Sequence, residues 1–140
     1  MKILVVVDMQ NDFIDGALGT PEAVAIVPYV KEVIQSFDGK VLFTRDTHFS
    51  NYMDTQEGKN LPVPHCILGT PGWEIRPELE ALRTTEAIDK LTFGSSQLPE
   101  ILKKEENIES ITFIGLCTDI CVISNVMITK AFFPEVPLIV

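Results

Sequence analysis

The feature that most constrains the fold is an uninterrupted, mostly β-branched apolar run at residues 3–7, which ends at Asp8. A run without polar alternation is typical of a strand buried on both faces, as in a parallel sheet covered by helices on both sides. Two similar runs follow at residues 40–45 and 110–116. These runs predict an α/β fold built on a parallel sheet.

Helical patterns alternate with these strands. Thr20, Pro21 and Glu22 form a strong helix start, because Thr caps, Pro fits the first turn and Glu complements the helix dipole. The pattern predicts helices at residues 21–37, 73–82, 97–106 and 118–132, and further strands at residues 86–90 and 136–140. We therefore expect one doubly wound, mainly parallel sheet flanked by helices, a single domain over residues 1–140. No helix follows to cover the final strand, so we expect the fold to lack its C-terminal strand and helix.

Composition narrows the partners. The 140 residues include 11 Lys and Arg against 20 Asp and Glu, which gives a formal net charge of −9. A chain this acidic is a poor partner for nucleic acid or an anionic membrane surface. The longest apolar runs are only strand-length, so no membrane span is predicted. Three cysteines, an odd number, favour a reducing cytoplasm over a disulfide scaffold.

Chemically capable side chains fall where the predicted strands end. Asp8 ends the first strand, Asp46 the second and Lys90 the third, and Cys117 and Cys121 follow the fourth. Function in open parallel sheets collects at the carboxyl ends of the strands. We therefore expect one site at this edge of the sheet.

Cys121 is the candidate nucleophile. With Thr118 as N-cap, Cys121 lies in the first helical turn, where unpaired N–H groups and the helix dipole favour thiolate and can hold an oxyanion. Two other interpretations stay open. Cys121 can be a buried structural thiol, or it can form a redox pair with Cys117, although the C-x-x-x-C spacing is unusual for that role.

Asp8 and Lys90 are the candidate partners of the thiol. Asp8 can act as the base that activated nucleophiles require, and Lys90 can pair with Asp8 and stabilise developing negative charge. The alternatives are a strand-end carboxylate that caps the following loop and an ordinary solvated lysine. Neither residue decides the matter alone.

Asp46, His48 and His65 suggest a divalent metal site. Asp46 and His48 point the same way in an extended segment, and both histidines of the chain lie in one long polar loop. One carboxylate and two imidazoles suit Zn²⁺, Mn²⁺ or Fe²⁺ as a Lewis acid, and Asp54 is a candidate fourth ligand. The alternative is a pair of polar loop histidines without a metal.

Five motifs together resemble the isochorismatase-like cysteine hydrolase superfamily, and within it the nicotinamidase/pyrazinamidase branch. They are VDMQNDF at residues 7–13, DTH at 46–48, PHC at 64–66 with GTPG at 69–72, Lys90 with FGS at 93–95, and GLCTDICV at 115–122. The motifs occur in order over the whole chain, which makes chance agreement improbable. The resemblance implies a parallel sheet flanked by helices, in agreement with the pattern of runs.

The resemblance implies a catalytic triad of Asp8, Lys90 and Cys121. Cys121 attacks an amide carbonyl, Asp8 transfers the thiol proton to departing ammonia, and Lys90 orients Asp8. Water then hydrolyses the thioester. The backbone N–H groups of Cys117 and Cys121 correspond to the oxyanion hole, and a cis peptide is expected at Leu116–Cys117.

The resemblance also implies a cofactor and a substrate. Asp46, His48 and His65 correspond to the ligands of a divalent metal, with Zn²⁺ favoured, which binds the pyridine nitrogen of nicotinamide. Phe13 corresponds to an aromatic residue that contacts the substrate ring. The expected partner is thus a small-molecule amide, and an exposed sheet edge together with family habit favours a homo-oligomer.

Three departures from the branch leave the substrate open. Pro62 stands where many members of the branch have a Trp, and Ile120 stands where some have His or Tyr. Asp54 lies near the position where some members have an additional His that binds the metal. Nicotinamide is the leading prediction, with a ureido, carbamoyl or other small amide as the alternative. Isochorismatase-type vinyl-ether hydrolysis needs no thiol, so Cys121 argues against it. A non-catalytic domain does not explain an intact Asp8, Lys90 and Cys121.

Overall fold

A single parallel sheet organises the molecule. The computed structural model describes all 140 residues and contains five strands in the order β3-β2-β1-β4-β5. The strands are β1 (Lys2–Val7), β2 (Lys40–Asp46), β3 (Ile88–Lys90), β4 (Ser110–Gly115) and β5 (Leu138–Ile139). β1 pairs with β2 on one side and with β4 on the other. The strand order therefore reverses between β1 and β4, the kind of point where ligands bind in such sheets.

Helices connect the strands. They are α1 (Asn11–Ile14), α2 (Pro21–Ser36), α3 (Gln56–Asn60), α4 (Pro77–Glu80), α5 (Gln97–Leu102) and α6 (Ile123–Phe132). A 3₁₀ turn, Tyr52–Asp54, precedes α3, and a π-helical turn, Thr118–Val122, continues into α6. The start of α2 follows the prediction, because the Thr20 hydroxyl accepts a hydrogen bond from the Ala23 N–H. None of the helices combines the length and apolar character needed to span a membrane.

Helices cover both faces of the sheet, as the apolar runs predict. Successive side chains of β1 enter opposite layers of the core, since strand residues alternate in direction. Ile3, Val5 and Val7 pack with side chains of α5 and of the π-helical turn, and Leu4 and Val6 pack with α2 and α4. All five have 0% exposed surface, so the doubly wound prediction is confirmed.

Two predicted helices are shorter than their patterns suggest. The helix expected at residues 73–82 is confined to α4, because the preceding segment pairs with residues 9–11, which follow β1: the Asn11 N–H donates to Glu74 O and the Arg76 N–H to Met9 O. The helix expected at residues 97–106 ends at Leu102, since the charged residues 103–106 have no apolar side chain to bury. The strand expected at residues 86–90 is shortened to β3.

The turn after β4 differs from the expectation of a cis peptide at Leu116–Cys117. The structure contains no cis peptide bond, so the predicted cis peptide at Leu116–Cys117 is wrong. The chain turns instead through positive φ angles of 130° at Gly115 and 58° at Cys117. A Cβ on Gly115 would lie 2.1 Å from Val7 O, so only glycine fits there. Cys117, rather than the predicted Thr118, is the residue before the helical turn.

Candidate active site

Asp8 and Lys90 form a buried ion pair at the carboxyl edge of the sheet. Asp8 directly follows β1 and Lys90 ends β3, and the Lys90 Nζ atom lies 2.7 Å from Asp8 Oδ2. The Thr44 hydroxyl of β2 donates to Asp8 Oδ1 at 2.7 Å. Lys90 Nζ also lies 3.5 Å from Asp46 Oδ1 and donates to Thr92 O. The alternative of a solvated lysine is excluded, since only 3% of Lys90 is exposed.

Burial and mutual attraction set the charges of this group. Burial raises the pKa of Asp8, the Lys90 ammonium opposes that rise, and the charge of Asp46 adds to it. Burial disfavours the Lys90 ammonium, but the carboxylates of Asp8 and Asp46 outweigh it and hold the pKa of Lys90 above its ordinary value. Asp8 is therefore a carboxylate of increased basicity next to a permanent cation.

Cys121 lies in the π-helical turn, buried against the same group. The hydrogen bond that its thiol shares with Cys117, its burial and the charge of Asp8 together raise the pKa of Cys121. This direction is opposite to the one expected from the helix N-terminus, because the hydrogen bond shared with Cys117 and the burial of the thiol together outweigh the field of one short turn. A thiol of raised pKa needs a base to become a nucleophile, and the Asp8 carboxylate, whose charge contributes to that rise, is the candidate base.

A second cluster joins Asp46 at the end of β2 with His48 and His65. One carboxylate oxygen, Asp46 Oδ2, lies 2.9 Å from His48 Nε2 and 3.4 Å from His65 Nε2. Burial disfavours the ionisation of Asp46, but its bonds to both histidines and the charge of Lys90 hold its pKa well below the usual range. The three residues predicted from sequence as metal ligands therefore converge.

The fourth member of this cluster is Glu57, which the sequence did not single out. Glu57 Oε2 lies 3.2 Å from His48 Nε2 and 3.8 Å from His65 Nε2, and the four potential ligand atoms lie within 4.8 Å of one another. Asp54, the expected fourth member, is exposed and outside the cluster. The reason is that the 3₁₀ turn and α3 carry Asp54 outward and Glu57 inward.

The cluster fits a divalent metal on its own geometry. Glu57 Oε2 is buried and has no hydrogen-bond partner, which marks an acceptor that still needs a cation or a donor. His65 Nδ1 contacts Val63 O at 2.8 Å; in the tautomer with Nδ1 protonated, Nε2 is free as a ligand. Two imidazoles and two carboxylates form a nitrogen and oxygen donor set that suits Zn²⁺, Mn²⁺ or Fe²⁺.

Buried polar residues near the start of the chain support both clusters. The Gln10 side-chain amide donates to Asp46 O and accepts from the Asp46 N–H, each at 2.8 Å, and so fixes the backbone of Asp46. Asp12 Oδ2 accepts from the Cys66 N–H at 2.8 Å and so anchors the segment next to His65. Neither role was predicted, since a buried glutamine gives no signal without the fold.

Tyr52 packs against the two histidines of the Asp46, His48, Glu57 and His65 cluster. Its ring packs edge-on against those of His48 and His65, with centroids 4.7 and 5.1 Å apart. Its hydroxyl donates to Leu61 O at 2.8 Å, which closes the segment between the two histidines. Burial and the charge of Glu57 raise the pKa of Tyr52 to about 12, so the phenol stays neutral.

A mostly apolar cavity of about 220 Å³ borders both the Cys121 thiol and the metal-ligand cluster. Its lining consists of Phe13, Leu18, Asp46, Leu61, His65, Phe93, Cys117, Ile120 and Cys121. Phe13 stands beside the histidines, with its ring centroid 5.4 Å from that of His65. Leu61, and not Pro62, lines the cavity from the segment before His65.

Comparison with known proteins agrees with this geometry. The Isochorismatase domain family model matches residues 2–140. The nicotinamidase/pyrazinamidase of Mycobacterium tuberculosis is 28% identical over 145 residues, which cover 87% of this chain and 75% of that protein. Among solved structures, the pyrazinamidase of Pyrococcus horikoshii in complex with zinc has a TM-score of 0.75 and 28% identity, with 99% of this chain and 87% of that chain covered.

A second solved structure broadens the set of similar proteins. The N-carbamoylsarcosine amidase of Thermoplasma acidophilum has a TM-score of 0.78 and 30% identity, with 98% of this chain and 79% of that chain covered. The match of the family model over nearly the whole sequence, together with these relatives, decides the classification: the chain belongs to the isochorismatase domain family, on its nicotinamidase/pyrazinamidase-like branch.

Proposed function

We propose that this protein is a metal-assisted cysteine amidohydrolase that converts nicotinamide to nicotinate and ammonia through a thioester on Cys121. The observation that carries the proposal is one mostly apolar cavity lined by the Cys121 thiol and by Asp46 and His65 of the four-ligand cluster, with the buried Asp8–Lys90 pair joined to that cluster through Lys90 and Asp46. The nucleophile and the cluster that would anchor the substrate thus border a single cavity, and the base Asp8 is buried next to them.

The first half-reaction follows from the charges of the site. Asp8 takes the proton of the Cys121 thiol, whose pKa is raised, and the sulfur forms a bond to the amide carbon. The C–N bond then breaks, and Asp8 returns the proton to the leaving nitrogen, which departs as ammonia. The raised pKa of Asp8 suits both steps, since a carboxylate of ordinary pKa is a weak base for a thiol.

The second half-reaction uses the same groups. Asp8 takes a proton from water, the water oxygen bonds to the thioester carbon, and the C–S bond breaks. Asp8 then returns its proton to the departing Cys121 sulfur, and the carboxylic acid product loses its own proton to solvent as nicotinate. Lys90 keeps its positive charge throughout, because Asp8 and Asp46 raise its pKa, and so it orients Asp8 and offsets negative charge. The backbone N–H groups of Cys117 and Cys121 are the proposed oxyanion hole.

The metal and the apolar walls determine which amide binds. Asp46, His48, Glu57 and His65 would hold a divalent cation, Zn²⁺ by preference with Mn²⁺ or Fe²⁺ compatible, which supplies a Lewis acid for the pyridine nitrogen. Phe13 packs beside this cluster and offers its ring to a flat aromatic substrate. A cavity of about 220 Å³ suits a molecule of that size.

A ureido or carbamoyl amide is the second candidate substrate. The similarity to an N-carbamoylsarcosine amidase favours it. Both candidates use the same thiol chemistry. Three free cysteines support a cytoplasmic location for either activity.

The experiment is ammonia release by the metal-loaded protein from nicotinamide and, separately, from N-carbamoylsarcosine. We expect nicotinamide to be the faster substrate, and Cys121→Ala to lower turnover by about 10³-fold or more with metal content unchanged. Cys66→Ala is the matched control, because that thiol is equally buried but lies outside the cavity. Release by Cys121→Ala near the wild-type rate would exclude the cysteine mechanism. Faster turnover of N-carbamoylsarcosine would assign the second substrate class.

A further inference from the structure

Asn125 is a buried polar side chain that connects two parts of the site and has no place in the chemistry above. It lies in α6, one helical turn after Cys121, and has 0% exposed surface. Its side-chain oxygen Oδ1 accepts a hydrogen bond from the Ser95 N–H at 2.8 Å. Its nitrogen Nδ2 donates to Cys121 O at 2.8 Å and to Phe93 O at 3.2 Å.

These partners fix the orientation and the identity of the side chain. Two carbonyl oxygens require both hydrogens of an NH₂ group, and the Ser95 N–H requires an acceptor. Aspartate lacks the donors, and serine is too short to reach from the helix to the loop. Asparagine satisfies all three buried groups at once, in an interior where an unpaired group is costly.

The loop that Asn125 holds is also the loop that follows Lys90. At its start, the Lys90 ammonium donates to Thr92 O at 3.2 Å, and Phe93 lines the substrate cavity. At its end, the Ser95 hydroxyl accepts from the Leu98 N–H at 3.1 Å at the start of α5. The loop therefore contacts the Lys90 side chain at one end and Asn125 at the other.

Close packing shows that the loop and α6 meet directly. A Cβ on Gly94 would lie 2.4 Å from Ile128 Cδ1 and 3.3 Å from Ser124 O. Gly94 has no side chain of its own, so the backbone of the loop packs directly against Ile128 and the backbone of Ser124, and the hydrogen bonds of Asn125 fix the relative position of the loop and α6. A shift of the loop would move Phe93 and the support of Lys90 relative to the turn that carries Cys121.

We infer that Asn125 is a positioning residue for the reaction: it keeps the turn that carries the Cys121 nucleophile in register with the loop that supports Lys90 and the cavity wall. It touches no substrate and acts through the backbone of Cys121 and Phe93. The inference rests on the proposed function for its turnover readout only, because the reactivity of Cys121 can be measured without a known substrate.

Asn125→Ser is the principal test. A serine hydroxyl can still bond the carbonyl four residues earlier, Cys121 O, but it cannot reach Phe93 or Ser95. The variant therefore removes the link between the elements and keeps the bond within the helix. Asn125→Asp is the second variant, because it keeps the acceptor for Ser95 and places a carboxylate oxygen against two carbonyls. Thr129→Val is the matched control, since Thr129 is fully buried one turn further along α6 and its hydroxyl has no partner.

We expect Asn125→Ser to lower kcat for nicotinamide by roughly 10- to 100-fold, with a smaller change in KM and metal content at the wild-type level. We also expect iodoacetamide to modify Cys121 at least about fivefold faster in the metal-loaded protein, because the buried thiol becomes accessible. Asn125→Asp should change both quantities in the same direction, and Thr129→Val neither of them.

Wild-type kcat and wild-type alkylation in folded Asn125→Ser would overturn the inference and reduce Asn125 to a residue of general stability. If Asn125→Ser does not fold, Asn125→Asp decides on the same two readouts. Equal changes in Thr129→Val would also overturn it. If the wild type does not hydrolyse nicotinamide, the proposed function fails on that result, and the alkylation rates alone decide the role of Asn125.

Discussion

Single residues in the site carry charges that depend on their neighbours. Asp8 and Lys90 are both buried, and each is tolerated because the other lies 2.7 Å away. Removing one partner of a buried pair leaves an unpaired charge and is usually strongly destabilising, by about 3–5 kcal/mol. The pair therefore constrains the chemistry as well as the fold, since Asp8 keeps its charge only beside the Lys90 ammonium.

The protonated state of Cys121 gives a testable pH dependence. Its pKa is raised, so the reactive thiolate is the minor form at neutral pH, and its fraction grows about tenfold per pH unit until the pKa is reached. We expect the alkylation rate of Cys121 by iodoacetamide to keep rising from about pH 7 past about pH 9, beyond the ordinary pKa of a cysteine.

Peptide mass spectrometry after timed quenching measures this rate for Cys121, and N-acetylcysteine is the reference thiol of ordinary pKa. A plateau near neutral pH would contradict the structure and support the thiolate that the sequence predicted. That prediction considered the helix N-terminus alone, because burial beside Asp8 and Cys117 is a property of the folded chain.

Short elements determine the metal cluster. α3 has five residues, too few to be stable alone, and its position depends on its neighbours. The Thr55 hydroxyl caps it by accepting from the Gly58 N–H, and a Cβ on Gly58 would lie 2.0 Å from Tyr52 O. α3 is thereby pressed onto the 3₁₀ turn, which directs Glu57 toward the histidines.

Glu57→Gln tests this element directly. The amide keeps the size of the side chain but loses its charge, so we expect metal affinity to fall by about 10- to 100-fold. Asp54→Asn is the matched control, because it removes an acidic group three residues away that lies outside the cluster. His48→Ala should lose the metal and raise KM strongly. Titration with Zn²⁺ and metal analysis measure metal binding by the three variants, and steady-state kinetics measure the KM of His48→Ala.

Equal losses in Glu57→Gln and Asp54→Asn would show that general acidity, and not the position of Glu57, binds the metal. Bound metal that survives His48→Ala would contradict the whole ligand set.

The strands were the most predictable elements and the short helices the least. β1, β2 and β4 follow from apolar runs, and the 0% exposure of Ile3–Val7 confirms burial on two faces for β1. In β4 only the alternate residues Ile111 and Phe113 are buried. α4 was predicted too long, because its pattern gave no sign that residues 74–76 pair with residues 9–11 after β1. The convergence of Asp46, His48 and His65 was predictable from spacing, whereas Glu57 required the path of the loop.

At the scale of the whole molecule, the metal cluster connects the long segment after β2 to the edge of the sheet where Asp8 and Lys90 lie. Its four residues extend from the end of β2 through α3 to His65. Asp8, Asp46 and Glu57 carry three negative charges when ionised and Lys90 one positive charge, a balance of −2 that a divalent ion cancels. Metal binding is therefore expected to stabilise the fold.

Metal removal tests this expectation. A ligand at 100 times its Kd stabilises the folded state by about 2.7 kcal/mol, which corresponds to roughly 5 to 10 °C in Tm for a domain near this size. We expect chelation to lower Tm by that amount and to increase hydrogen exchange most strongly between residues 46 and 65. An unchanged Tm and exchange pattern after verified metal loss would contradict a structural role for the cluster.

The most direct test of the central claim is the mass of the protein during turnover. Metal-loaded wild type is mixed with nicotinamide, acid-quenched within milliseconds to seconds, and analysed intact and after digestion. The account predicts a nicotinoyl thioester on Cys121 that decays as nicotinate accumulates, and no adduct in Cys121→Ala. Turnover by the wild type with no adduct at any time, together with turnover by Cys121→Ala, would contradict it.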